Sequence, residues 1–445
     1  MGVPGFLEAC EEAQELWTLK GYAIKNGYQL HKRLRVGVDA KVVIEGCKAA
    51  DATGDSTSTL QGFARVLGHY SAVPMAFVFV FDGPDQPNLK SNTQAPGIDS
   101  VLCNQARKLL EAFSYPSLTA PGDTHSCLAA LAHAGTIDGV VSDDADLLLL
   151  GVPLLFRKAP RLNPLDLFYN VYSSENIRQK LKLTRGGMIL TALLMGSDYD
   201  PRGVVGCGVK TAIEISSRTK LGDQLLADYR TFASVPEYLE ASLAIWRDQL
   251  RLEVAHNVSG NLDKRRRCIA AAIAEDFPNV QIIEFYSGRL VTKLPQVRMQ
   301  VRTALWQPQL PDLMKLVGIG RDVFGWPDEK LYRNFKENGV WKGIIIRMLA
   351  SPFVSYDKNT KTFYENGLWL PLVTTRASSE VIHDLPSIWV TFSMDSLVSH
   401  MGINPKKGCR GDRECKGLNI GLWMPLAVLE RAQGLVPALP LASNP

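Results

Sequence analysis

The sequence predicts an open α/β fold with a parallel sheet, and three observations carry that prediction. Short apolar runs at residues 35–39 (RVGVD) and 76–82 (AFVFVFD), rich in Val and Phe, suit buried strands of a parallel sheet. Stretches with apolar residues three and four apart, Ser58 to His69 and Asn104 to Phe113, stand between and after them as amphipathic helices. The resulting β-α-β-α order favours parallel strands joined by helical crossovers. The chain has 445 residues, 46% of them hydrophobic, enough for two or three folded domains.

Taken in order, the N-terminus MGVPGFLEACEEAQELW is acidic and lacks the long apolar run of a signal peptide. Phe6 stands where a myristoylation signal needs Ser or Thr. The longest apolar run, Val73 to Phe81, is about half of a membrane span, so no membrane partner is expected. Residues 83–98 (GPDQPNLKSNTQAPGI) are polar and Pro-rich and read as a mobile loop over one end of the sheet. Eight cysteines without a zinc or redox spacing read as free thiols. A formal charge of +4 permits an acidic partner without requiring one, so any basic surface must be local.

The chemistry gathers at the strand ends. GVVSDDADLLLLG (139–151) puts Asp143, Asp144 and Asp146 between two apolar runs. Taken alone, the segment is a strand whose Asp143 or Asp144 caps the next helix. Asp39, Asp82 and the Asp144/Asp146 pair each end a predicted strand, however, and parallel strands bring those ends to one edge, where α/β sheets bind ligands. Carboxylates so close repel one another unless cations lie among them, and oxygen-only ligation points to Mg²⁺ or Mn²⁺. Downstream, LMGSDYDPRGVVGCGVKTAIE (194–214) sets Asp198 and Asp200 before a glycine turn, Gly206, Gly208, Lys210 and Thr211, that opens a helix. Such a turn offers glycine backbone, unpaired N–H groups and a lysine to a phosphate.

Five ordered segments resemble the XPG family of structure-specific nucleases: MGVPG at the start, VGVDA at 37, FVFDGP at 79, SDDAD at 142, and GSDYD with GVVGCGVKTA. LTRGGMILTALLMGSDY (183–199) and NLDKRRRCIAAAIAEDFPNV (261–280) are most similar to the GEN-type Holliday junction resolvases. The resemblance implies a PIN-like nuclease core with a helix-two-turn-helix over residues 1–225. A helical extension over 226–310, a small α+β chromodomain-like module over 311–425 and a disordered tail over 426–445 complete the expected organisation. It implies a nuclear, two-metal endonuclease for flapped or branched double-stranded DNA, acting in DNA repair, with dimerisation on junction DNA.

By motif, Asp39, Asp82, Asp123, Asp144, Asp146 and Asp198 match the family's metal-site carboxylates, with Asp82 and Asp144 central to catalysis. Lys90 falls where the family has a lysine near the scissile phosphate, and Gly2 matches a glycine that lies near DNA. Gly206 to Thr211 match the duplex clamp, which also holds a monovalent cation. The family's G-E-A-E-A is here Gly122-Asp123-Thr124-His125-Ser126, so His125 occupies a metal-ligand position. Imidazole is a poor Mg²⁺ ligand and a better one for Mn²⁺. The loop after Asp82 is thin in basic residues. These departures keep a second reading open, a pseudonuclease that binds DNA without cutting it.

Two further clusters are ambiguous in sequence. Lys264 to Arg267 suit phosphate contact or a nuclear signal, although a solvated helix face is the plainer reading. Tyr364, Trp369, Trp389 and Phe392, in a β-rich stretch, suit an aromatic groove or cage, although core packing is the plainer one. Lys406, Lys407, Arg410, Arg413 and Lys416 form a basic loop suited to DNA.

Overall fold

The computed structural model describes residues 3–50, 55–84, 100–159, 168–287, 306, 309–382, 384–405 and 418–435. Seven strands form the central sheet: β1 (Gln14–Thr18), β2 (Arg35–Asp39), β3 (Ala76–Phe81), β4 (Ser117–Thr119), β5 (Gly139–Val141), β6 (Leu154–Lys158) and β7 (Phe168–Ser173). Their order is β1-β7-β6-β5-β2-β3-β4. The interior pairs β6-β5-β2-β3-β4 run parallel, and β7 and β1 close one edge antiparallel. The sheet is thus α/β and mostly parallel, as its apolar runs predict.

Both faces of the sheet are covered, which explains the unbroken hydrophobicity of β3. Phe77, Phe79 and Phe81 enter one core while Val78 and Val80 enter the other. The predicted helices form over Ser56–Ser71 and Ser100–Ala112. Gly37 of β2 shows how tightly one face is packed: a Cβ there would stand 2.5 Å from Leu128 Cδ2 of the helix Thr124–His133. That close approach sets the height of the helix start, where Asp123 and His125 lie.

A second sheet of five antiparallel strands, in the order β12-β11-β10-β9-β8, comprises β8 (Ser355–Asp357), β9 (Thr362–Glu365), β10 (Leu368–Ile382), β11 (Leu385–Ser393) and β12 (Asn419–Pro425). Its inner face, including Phe363, Leu370, Val390, Phe392 and Leu422, joins the same core as Phe77 and Phe79 of the first sheet. The helix Val340–Leu349 bridges them by crossing Ser56–Ser71 at two glycines. A Cβ on Gly343 would meet Ser71 Cβ at 2.6 Å, and one on Gly68 would meet the Asn338 carbonyl at 2.7 Å.

Several expectations change. A disordered tail from residue 426 does not hold for Leu426–Ala432, which form a helix with Val428 and Leu429 buried, because its apolar face completes the core. Of the four aromatics expected to pack inside, Phe392 does, whereas Tyr364 and Trp369 are exposed on the outer face. Trp389 and Trp423 meet there edge to face at 5.6 Å with the Arg376 guanidinium over both rings. Lys264 to Arg266 lie in a connector, and only Arg267 starts a short helix, Arg267–Ala271. Gly2, Lys90, most of the 83–98 loop and the basic residues 406–416 lie outside the described residues. The six described cysteines are free. Among the described residues no helix is long and apolar enough to cross a membrane.

Candidate metal centre and nucleic-acid interface

The register of the central sheet decides which carboxylates meet. Val38 pairs with Val141 and Asp39 with Val80, so β2, β3 and β5 all leave the sheet at one level. Asp39, Asp82 and Asp144 follow at that edge. Asp39 also begins the helix Ala40–Ala49, its Oδ1 accepting from the backbone N–H of Lys41 (3.1 Å) and Val42 (3.3 Å). Ser142 locks β5 to β2: its hydroxyl donates to Asp39 Oδ2 at 3.3 Å and accepts from the Asp144 N–H at 3.3 Å. Asp144 Oδ1 in turn accepts from the Asp146 N–H at 3.0 Å. The loop therefore turns on its own carboxylates, and Asp143, expected as one of two capping residues, is exposed and caps nothing.

The helix Thr124–His133 brings the next group. Asp123 caps it through the Ser126 N–H at 2.9 Å. Asp82 accepts from the Thr124 N–H (3.0 Å) and hydroxyl (2.7 Å), which fixes the end of β3 against the same helix start. His125 then projects between two strands, with Nε2 3.2 Å from Asp39 Oδ2 and 3.5 Å from Asp144 Oδ2. Neither ring nitrogen has a hydrogen-bond partner in good alignment, so the contact is ionic. Burial alone would lower the imidazole pKa, but Asp144, Asp39 and Asp123 outweigh it and pull the pKa up to about 9. In the metal-free site its surroundings therefore favour the protonated imidazole between two carboxylates.

Asp146 has the opposite problem. Burial raises its pKa well above the usual carboxylate range, and Asp144 and Asp198 push the same way against a lowering by His125 and by the nearby Tyr286 hydroxyl. Its Oδ1 is buried without a well-aligned donor. Tyr199 and Tyr286 close the wall behind it, each with a phenol pKa raised by burial and then by the Asp146 charge. Six of the seven predicted ligand positions are carboxylates, and the structure brings Asp39, Asp123, His125, Asp144 and Asp146 together in the protein interior. Asp82 is partly buried through Thr124, and Asp198 is on the exposed side within reach of the Asp146 charge. Among the described residues no three His, Cys, Asp or Glu side chains already surround one point in ligating geometry.

The donor chemistry therefore divides the centre. A hard divalent cation suits the Asp146 side, where a buried carboxylate oxygen lacks a well-aligned donor. It does not suit the space between Asp39 and Asp144, because the positive imidazole stands there. Sequence reasoning missed Ser142, Thr124 and Tyr286. The first two sit inside the SDDAD and GDTH motifs and could have been found as short polar donors beside ligands; Tyr286 comes from the distant helix Val280–Ser287 and left no local signal.

The glycine turn lies beyond Asp198. Gly206 has a left-handed φ of 82°, which a side chain would strain. Gly208 starts the helix Val209–Arg218 without a side-chain cap, and a Cβ there would meet nothing within 4 Å. The helix thus presents bare N–H groups to open space, with Lys210 exposed beside them.

Residues 114–198 match the family model of the XPG I-region. The chain is 24% identical over 252 residues to DNA repair protein RAD2 of Saccharomyces cerevisiae, covering 57% of this chain and 22% of that one. It is 31% identical over 172 residues to flap endonuclease 1 of Pyrococcus furiosus, covering 35% and 51%. It is also 31% identical over 155 residues to flap endonuclease GEN homolog 1 of Mus musculus, covering 34% and 17%. The matched stretches span about half or less of these relatives. Among solved structures, the eukaryotic junction-resolving enzyme GEN-1 bound with cesium superposes with a TM-score of 0.74 at 20% identity, over 97% of both chains. The Holliday junction-resolving enzyme GEN1 in complex with product DNA and Mg²⁺ gives 0.72 at 21% identity, over 96% of both. At these identities the structural likeness is one of fold. Residues 114–198 thus carry the XPG I-region, and the relatives in sequence include flap endonucleases and a DNA repair protein.

Proposed function

We propose that this chain is a divalent-metal-dependent endonuclease that cuts phosphodiester bonds at flaps or branched junctions in nuclear DNA repair. The observation that carries the reading is the buried Asp146 Oδ1 without a well-aligned donor, set close to Asp144 and Asp198. A divalent cation bound there would supply charge neutralisation at a phosphate and an activated water. Asp144, Asp146 and Asp198 would hold it, with Asp82 and Asp123, both bound to the start of the Thr124 helix, as further carboxylates. Lys210 and the helix N-terminus would seat the duplex backbone through Gly206, Gly208 and Thr211, a turn suited to a monovalent cation as well. Lys90 and Gly2 complete the expected DNA contacts. Two copies on one junction fit the same reading.

The two-metal form of the reaction is the finer proposal, and His125 bears on it. Its imidazole, held between Asp39 and Asp144, favours one firmly held cation on the Asp146 side over a matched pair. The same contact supports the second reading, a pseudonuclease that retains the fold and binds DNA. Cleavage of labelled flap, fork and Holliday junction substrates in Mg²⁺ and in Mn²⁺ separates the two. Cutting in either metal that vanishes in Asp144→Asn supports the nuclease. Tight junction binding without cleavage in either metal supports the pseudonuclease.

A further inference from the structure

The basic run Lys264 to Arg267 does not behave as an ordinary solvated helix face. The long helix Pro236–His256 stops at Asn257, whose left-handed backbone turns the chain and whose side chain clasps Leu262, accepting from its N–H (3.0 Å) and donating to its carbonyl (2.7 Å). Ser259 donates to Glu253 at 2.7 Å. The connector is then tied to the helix after the glycine turn. Glu214 accepts from the Asp263 N–H at 2.7 Å and forms a mostly buried, two-pronged ion pair with Arg266. Arg218 holds the Asn261 carbonyl at 3.2 Å and the Asp263 carboxylate. At the other end, a Cβ on Gly206 would lie 3.8 Å from Ile269 Cγ1, so the short helix that follows Arg267 rests against the glycine turn itself.

This arrangement consumes one of the four basic residues and displays the other three. Arg266 is committed to Glu214, while Lys264, Arg265 and Arg267 are exposed and in no ion pair among the described residues. A linear import signal needs an extended, accessible basic segment; here the backbone is held and its central arginine is buried against a glutamate. Three exposed cations on a rigid connector beside bare helix N–H groups instead match a row of phosphates.

We propose that Lys264, Arg265 and Arg267 form a second phosphate-binding ledge, continuous with the glycine turn, that extends its grip along the backbone of double-stranded DNA. The proposal rests on the reading of the glycine turn as a duplex clamp. Glu214 and Arg218 act as positioning residues that hold the ledge at a fixed distance from Lys210.

The test is the salt dependence of binding of the full-length chain to a plain, unbranched DNA duplex in the absence of divalent metal. Each phosphate neutralised adds about 0.9 to the slope of log K against log salt. Lys210→Ala should lower the slope by about one unit, and the combined change Lys264→Ala, Arg265→Ala and Arg267→Ala by about two to three, equally for unrelated duplex sequences. These three side chains are exposed, so the melting temperature should be unchanged. If Lys210→Ala lowers the slope and the triple change does not, the ledge is overturned while the clamp stands. If neither change moves the slope, the ledge and the clamp reading fall together.

Discussion

At the residue scale, His125 and Asp146 are opposed. His125 supplies a positive charge that Asp39 and Asp144 stabilise, whereas the ionised form of Asp146 is disfavoured by its surroundings. The folded pKa of His125, about 9, lies above the ordinary histidine value, so its stabilisation is complete below about pH 6.5 and is lost as pH rises through about 9. In metal-free protein, the melting temperature should fall over that interval, and His125→Gln should flatten the fall; a parallel decline in both proteins would detach His125 from it. Removing the imidazole charge should also admit a hard cation. His125→Glu, alone and with Asp123→Glu, should tighten Mg²⁺ binding by about ten-fold or more in calorimetry. Unchanged Mg²⁺ affinity would mean that the departure from the family pattern reaches beyond this position. For Asp146 the expected outcome is a trade: Asp146→Asn removes a buried, poorly compensated carboxyl group and should raise the metal-free melting temperature, yet abolish the stabilisation that Mn²⁺ gives the unmodified chain. Loss of stability without metal would contradict that account.

At the scale of elements, the legible parts were those whose pattern is local. RVGVD and AFVFVFD declared buried parallel strands, and the aspartate at each strand end followed from the sheet's polarity. β4, with three residues, is too short to show any period and is defined by pairing alone, whereas β5, equally short, is marked by the apolar run before SDDAD. β1 and β7 pair across more than 150 intervening residues, at Gln14 with Tyr172, which no window of sequence can contain. Likewise the sequence places His125 in the ligand series but does not say that it would sit 3.2 Å from Asp39, since that distance depends on Gly37 admitting the helix so closely. The crossing of Ser56–Ser71 with Val340–Leu349 depends on glycine in the same way. Gly343→Val would drive a side chain into Ser71 and the Gly68 carbonyl, with a loss of roughly 1–3 kcal/mol or more in denaturant unfolding. A neutral outcome would show that the two helices can part without consequence.

At the scale of the whole molecule, sequence composition suggests a string of segments, whereas the packing joins distant ones. One core runs from Leu19 through the phenylalanines of β3 to Leu429 and Ala432; the other unites Val3 and Phe6 with Trp246 and Tyr286. The central sheet is shared by both, so unfolding should appear in calorimetry as one transition. Two resolved transitions, one assignable to the antiparallel sheet, would refute that coupling. The shared core also has a hereditary consequence. A nonsense codon or frameshift between the codons for Val340 and Leu426 would leave every codon for the carboxylate centre intact. The shortened polypeptide would nonetheless expose Phe79 and its neighbours and be expected to be cleared by quality control, so such an allele should score as a null.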